Sequence, residues 1–450
     1  MKYFVRHLVA MMLVFMVSSC SDLLEPEPID LLTDATVLNE PKDVPNVEVG
    51  LYSAFRNIIP SAVIAGDCTA DMLLFNGTFS QYRELGTKQI TSANASALSL
   101  WGSIYNTVYI ANFILERLPT VQGVPAVQRD RVLATAHFLR GYAYFVGLYS
   151  FGGVPLVTET SIEANRNIAR ASESEVLTFI LDDYTAALGG LPDQPSNAGF
   201  AGKYTLSAAF AKYYLYIGNW TKAEQYATEV ISSNKYQLET AYANLVTEDF
   251  TDEAIFEMGY TIADDPGTSA TGLNNIFVGR REMIPSNEVV VALASTESGE
   301  RFSSISFNSD LLKGNDNGWS VAKYGTADQD NNNVVVFRLG EMYLIRAEAR
   351  AQQSNVTGAK ADIDILRSRA KAPLLGTVNQ SQMLQIIEAE RRFELAFEGH
   401  RWYDLVRTGR ANVVMSAFSA NWKDTYELWP IPQREILNNP SLTGNQNPGY

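Results

Sequence analysis

The sequence predicts a mainly α fold: an irregular superhelix of four helical hairpins, interrupted by a loop-rich insertion that contains short strands. Three observations lead there. Apolar stripes at helical spacing recur along the chain, and two segments far apart repeat one set of small-residue offsets. Between those segments, roughly 236–336, helical periodicity fades and Gly, Asn, Asp, Ser and Thr accumulate.

At the start, Lys2, Arg6 and His7 precede the apolar run Leu8–Val17, which ends in Val17-Ser18-Ser19-Cys20. A basic opening, a short apolar core and small residues before the cut make residues 1–19 a secretory signal, too short to span a bilayer. A cysteine at the cut makes it a lipoprotein signal, with Cys20 the acylated first residue and residues 20–45 an extended acidic tether. Cleavage removes Lys2 and Arg6, leaving 33 basic against 50 acidic residues, a balance of −17. Phosphate binding needs clustered Lys and Arg, so nucleic acid is not an expected partner. Once Cys20 is lipidated only Cys68 remains, which leaves no intrachain disulfide. Stability then rests on burial, for which a chain 46% hydrophobic and 11% aromatic is well supplied. Residues 46–450 read as a single domain.

Glu48–Ile59 and Leu98–Leu118 read as helices, the second carrying Trp101, Ile104, Tyr105, Val108, Ala111 and Ile114 on a broad stripe. Between them Asp67–Ala97 shows no sustained period, and irregular stretches between buried helices are common mounts for binding groups. Arg129–Tyr149 is a third long helix, stopped by Gly152-Gly153 and Pro155; Ser172–Leu191 and Thr205–Tyr216 add more. Ala211, Ala223, Ala227 and Val230 have the same offsets as Ala347, Ala359, Ile363 and Leu366. Small residues so placed let two helices approach closely, which is tetratricopeptide logic, but the copies lie 136 residues apart and form no tandem array. In the insertion, Ala254–Met258, Asn287–Leu293 and Val334–Phe337 read as strands. Asn315–Gly318 and Asp328–Asn333 look superficially like calcium loops, but neither has the spaced ligand pattern, so both read as solvated turns.

Near the end, Ile386, Ala389, Phe393, Ala396 and Phe397 fall on one helix face, with Gly399 placed as a left-handed stop. Glu388 stands four residues before Arg392, and Glu390, Glu394 and Glu398 form a second charged row on the other face. The row reads as ion pairs that pin the helix into a helical domain. An acid/base or metal site with His400 needs convergent groups, whereas this face carries its own countercharges.

This stretch, E-R-R-x-E-L-A-F-E-G-x-R-W-x-D-L-x-R over Glu390–Arg407, resembles a signature of the SusD/RagB-like outer-membrane nutrient-binding lipoproteins. Phe138–Leu148, Phe151–Leu156, Arg338–Ala349 and the tail segments Tyr426–Ile436 and Gln446–Tyr450 resemble further family motifs. The resemblance implies a surface-exposed lipoprotein of the cell outer membrane. Such a protein sits as a lid on a SusC-like TonB-dependent transporter and delivers oligosaccharides or, in some members, peptides. It implies a binder rather than an enzyme, without cofactor or metal. The residues agree, with three His, no nucleophile elbow, no Gly-rich phosphate loop and no Cys/His ligand spacing. A surface glycoside hydrolase and a protein-interaction scaffold are the alternatives.

Sugar binding wants flat aromatic faces with amide, carboxylate and guanidinium groups for the hydroxyls. Of six Trp, Trp319 alone lies in the insertion, near Asn317, Gly318 and Tyr324. The family mounts part of its ligand surface on the loop corresponding to Asp67–Ala97, which adds Asp71, Asn76, Tyr82 and Arg83. The expected site is where that loop meets the insertion, with Trp319 as the stacking platform.

Overall fold

The computed structural model describes residues 37–260, 272–325 and 333–450. The signal, Cys20 and most of the tether lie outside those residues, as does most of the second polar turn, Asp328–Asn333.

The described chain opens with α1 (Val44–Arg56) and α2 (Ile58–Val63), which runs into a π-turn over Ile64–Cys68. The stretch read as irregular then carries β1 (Leu73–Phe75) and α3 (Ser80–Thr87), elements too short for a period to show in sequence. The long helices follow: α4 (Ala95–Arg117), α5 (Ala126–Phe151), α6 (Glu173–Ala186), α7 (Lys203–Tyr216) and α8 (Trp220–Ser232). Their starts are set locally. Asn94 accepts from the N–H groups of Ser96 and Ala97, and Ser172 forms a capping box with Glu175.

The insertion holds β2 (Ala254–Met258), β3 (Met283–Pro285), α9 (Asn287–Leu293), β4 (Ile305–Phe307), β5 (Trp319–Val321) and β6 (Val334–Arg338). Asn287–Leu293, expected as a strand for its three valines, is therefore a helix. Ser286 Oγ caps it by accepting from the Val289 N–H, and Val289 and Leu293 are buried four residues apart while Val291 faces solvent. A cap and a helical burial pattern outweigh a modest β propensity. The chain ends in α10 (Leu339–Gln352), α11 (Val356–Arg369), α12 (Gln380–Glu394), α13 (Arg401–Arg407), α14 (Ala411–Phe418) and a tail of turns that includes the short helix Gln433–Asn438.

Four helix pairs make the scaffold: α1 with α4, α5 with α6, α7 with α8, and α10 with α11. Helix α8 also packs on α10, so the two matched segments are neighbours in space, and all eight of their small or apolar positions are buried. The fold is thus mainly α and tetratricopeptide-like, with the strands among the described residues confined to three two-stranded antiparallel sheets: β1–β3, β2–β6 and β4–β5. The sheets have no core of their own. Ile255, Phe256, Phe277 and Val321 join the same apolar cluster as the helices.

The face expected of α12 is corrected. Ala389 is exposed and Ile386 only half-buried, whereas Glu390, Arg391 and Glu394 are buried with Met383 and Ile387. The acidic row points inward and meets cations from distant elements. Glu394 accepts from Arg301 Nε at 2.6 Å, from Arg338 Nη1 at 2.7 Å and from Arg369. Glu253 accepts from Arg338 and Arg369 at 2.7 and 2.9 Å, Glu390 pairs with Arg301 and Arg367, and Glu398 with Arg338 and Lys323. The ion-pair reading of the row stands, but the pairs are long-range and buried. His400 is buried too, and its basicity is held well below the usual histidine range by burial and by the nearby Lys212 and Arg391. Gly399 adopts the expected left-handed backbone at φ +81°, although α12 has already ended at Glu394. It lies against the π-turn so closely that a Cβ on Gly66 would stand 1.9 Å from the Gly399 carbonyl oxygen.

Candidate functional site

The Asp67–Ala97 loop and the insertion meet through β1 and β3, whose register pairs Leu73 with Pro285, Leu74 with Ile284 and Phe75 with Met283. The join continues past the strands. Asn76 N–H donates to the Glu282 carbonyl at 2.9 Å, and the Glu282 carboxylate accepts from the Thr78 and Phe79 N–H groups at 2.7 and 2.8 Å, at the start of α3. Arg280 bonds Glu282 at 3.1 Å and lies over the Phe79 ring, 4.2 Å from its centroid.

One residue on, Arg281 ties the joint to β5. Its guanidinium donates to both Asp316 oxygens at 2.6 and 3.1 Å, to the Trp319 carbonyl at 2.9 Å and to Ser320 Oγ. Asn76 Nδ2 reaches the same carboxylate at 2.9 Å. Burial acts against ionisation of Asp316, but the Arg281 bonds and the Gly318 N–H outweigh it and hold its carboxyl below the usual range. The Asn315–Gly318 turn is solvated at Asn315, as expected, but the side chains of Asp316 and Asn317 are bonded within the protein, Asn317 donating to the Pro285 carbonyl at 2.8 Å. Asp316 serves a guanidinium, and among the described residues no group of three or more His, Cys, Asp or Glu is placed to hold a metal ion.

Trp319 stands at the start of β5, half-buried, with Phe307 and Phe302 at centroid distances of 5.1 and 5.5 Å. Phe307 and Phe302 are 51% and 38% exposed, and Leu312 beside them 54%, so the three rings form a surface platform. Gly318 makes the platform possible, since a Cβ there would lie 2.7 Å from the Phe307 ring, and its φ is +78°.

The structure brings Trp319 and Asn76 to one joint through Arg281 and Asp316. Arg83 lies on the exposed side of α3, one turn beyond Phe79, with no side-chain partner among the described residues. Three other expected groups are packed away. Asp71 is buried and accepts from Arg401 at 2.9 and 3.2 Å with Arg392 at 3.3 Å, so it fastens the loop to the signature stretch. Tyr82 is 1% exposed, and Tyr324 is 3% exposed with its hydroxyl donating to the Phe397 carbonyl at 2.6 Å. As surface ligand groups these three are corrected: all are buried, and the partners of Tyr324 and Asp71 lie 73 and 330 residues away, beyond any local pattern. Phe302, Phe307, Phe79 and Arg280 were not anticipated. Large apolar residues inside polar loops were the available signal, but phenylalanine in a sequence ordinarily means core.

The helical-hairpin scaffold carries an aromatic platform on a sheet-bonded insertion, and the comparisons give the chain a family. The SusD family model matches residues 310–450, and a second model, described as starch-binding and associating with the outer membrane, matches residues 27–215. SusD-like protein P38 of Formosa agariphila is 25% identical over 492 residues, covering 95% of each chain. The starch-binding protein SusD of Bacteroides thetaiotaomicron is 25% identical over 75% of this chain and 76% of its own. A solved structure of a laminarin binding SusD-like protein superposes with a TM-score of 0.80 at 26% identity, over 92% of this chain and all of that one. This chain belongs to the SusD family. Among the described residues no helix is long and apolar enough to cross a membrane.

Proposed function

We propose that this protein is a surface-exposed lipoprotein of the cell outer membrane that binds oligosaccharides and delivers them to a partner SusC-like TonB-dependent transporter. The observation that carries the binding half is the three-ring platform of Trp319, Phe302 and Phe307, joined through Arg281 and Asp316 to Asn76, whose Oδ1 has no partner among the described residues, with the exposed guanidinium of Arg83 on the adjoining α3. Ring faces suit the apolar C–H faces of sugars, and amide and guanidinium groups suit their hydroxyls. The laminarin and starch bound by two relatives, as their names state, are of this chemical class. Delivery and membrane attachment rest on the family and on the signal ending at Cys20. Acylation by more than one chain anchors such a protein firmly, and the tether keeps it near its partner.

The test is an array of soluble oligosaccharides and peptides screened against the purified mature protein, followed by Trp319→Ala. Loss of one good aromatic contact should weaken the identified glycan by about 1–3 kcal/mol with little change in melting temperature. A ligand found only among the peptides, or a Trp319→Ala variant that melts early yet binds its glycan undiminished, refutes the reading.

A further inference from the structure

A second cleft, of about 590 Å³, opens where the terminal tail meets the chain just beyond α3. One wall is aromatic. Trp422 stands edge-on to Tyr426 at 5.9 Å, and Tyr426 lies stacked on Tyr450 at 5.1 Å with 22° between the rings. The polar ends of the two half-buried rings are satisfied inside the protein: Trp422 Nε1 donates to Asn412 Oδ1 and Tyr450 OH to the Leu428 carbonyl, both at 3.0 Å. The two rings are therefore held in place, with Tyr426 stacked behind Tyr450, and the half-buried Trp422 and Tyr450 line the cleft.

The opposite rim is polar and uncharged. Gln89 and Ser92 have no side-chain partner among the described residues, and Asn421 donates to the Thr87 carbonyl at 3.0 Å, which leaves its Oδ1 unpaired. Lys423 is the one charged side chain of the lining, and its ammonium lies 5.1 Å above the Tyr426 ring. Preset ring faces opposite neutral amides and a hydroxyl suit a neutral sugar better than a charged peptide. Helix α3 connects the two regions: it starts beside the Phe79–Arg280 contact, next to the Arg281 joint, and ends at Thr87 on the cleft's edge, its eight residues spanning on the order of 12 Å at 1.5 Å per residue.

We infer that this cleft is a second oligosaccharide subsite, engaged by glycans long enough to run along α3 from the Trp319 platform. The inference rests on the glycan reading above. A chain held at both ends gains affinity because its second contact is intramolecular.

The test is calorimetric titration of the mature protein with laminarin and with soluble starch, using wild type, Trp319→Ala, Tyr450→Ala, the Trp319→Ala/Tyr450→Ala double variant and Gln89→Ala. Melting temperatures check the fold, and Gln89→Ala, at an exposed position, covers the case in which losing Tyr450 loosens the tail. Trp319→Ala and Tyr450→Ala should each weaken the bound polysaccharide roughly tenfold and the double variant roughly a hundredfold. Gln89→Ala should weaken it about threefold. Tyr450→Ala and Gln89→Ala that bind like wild type, while Trp319→Ala is impaired, overturn the second subsite and leave the first standing. Wild type that binds neither polysaccharide overturns both the glycan reading and the subsite.

Discussion

Glu394→Gln removes one charge from a buried hub whose members have no solvent to fall back on. The side chain is fully buried and receives Arg301, Arg338 and Arg369. Glutamine keeps the shape and one acceptor oxygen, but it turns an NH₂ donor toward a guanidinium and leaves Glu253, Glu390 and Glu398 to balance the same arginines. Breaking a buried pair from one side costs about 3–5 kcal/mol, because the abandoned charge stays desolvated. Against a total stability of about 5–15 kcal/mol, that should move the urea midpoint down by roughly a third at unchanged slope, followed by circular dichroism at pH 7.5. The pH dependence supplies a second reading. Burial pushes the Glu394 carboxyl up, but Arg369, Arg301 and Arg338 outweigh it and hold the group well below the usual glutamate range. A depressed folded value gives stability that is fully present above the unfolded value of about 4.3 and is lost as pH falls through the folded one. Wild type should therefore lose its advantage over Glu394→Gln as pH drops below about 4.3. A variant within about 1 kcal/mol of wild type at pH 7.5 would refute the argument, as would midpoints that stay parallel down to acid pH.

Glu257 has the opposite sign: burial, against bonds from the Phe250 N–H and Asn333, pushes it up to about 7. Its folded form holds the proton more tightly, so stability falls as pH rises from the unfolded value toward 7, and Glu257→Gln should gain on the order of 2 kcal/mol at pH 8 and flatten the melting-temperature profile between pH 5 and 8. An unaltered slope would show that Glu257 is not the group responsible, although Asp67, also pushed up to about 7, should keep part of it in either case. Cys20→Ala should leave the membrane fraction while keeping its fold, and affinity purification of wild type from native membranes should recover a barrel transporter; membrane retention of a correctly cleaved variant, or no barrel, refutes the anchor or the partner. Calorimetry of the mature protein should show one transition, because the insertion shares its apolar cluster with the helices; two separate transitions would divide the chain into domains.

Much of this molecule is written locally. The helix start at Ser172, the stop near Gly152 and the matched offsets of Ala211–Val230 and Ala347–Leu366 are visible in sequence because caps and the 3.6-residue period act within one or two turns. The aromatic candidate of the insertion, Trp319, was legible by exclusion, since the other tryptophans lie in helices, motifs or the tail approach. What sequence could not show is which way a charged residue faces. Asp71, Glu390 and Glu394 look like surface groups until Arg401, Arg367 and Arg301 arrive from other elements to neutralise them. Likewise β1 meets β3 across more than 200 residues, and that pairing brings Asn76 to Arg281 and Asp316, whereas Trp319 meets Phe307 through the short-range β4–β5 pairing. Burying a charge is unfavourable by itself and becomes tolerable only with its countercharge in contact. The inward turn of the acidic row and the joining of Asn76 to Asp316 are therefore properties of distant contacts, which no window of neighbouring residues contains.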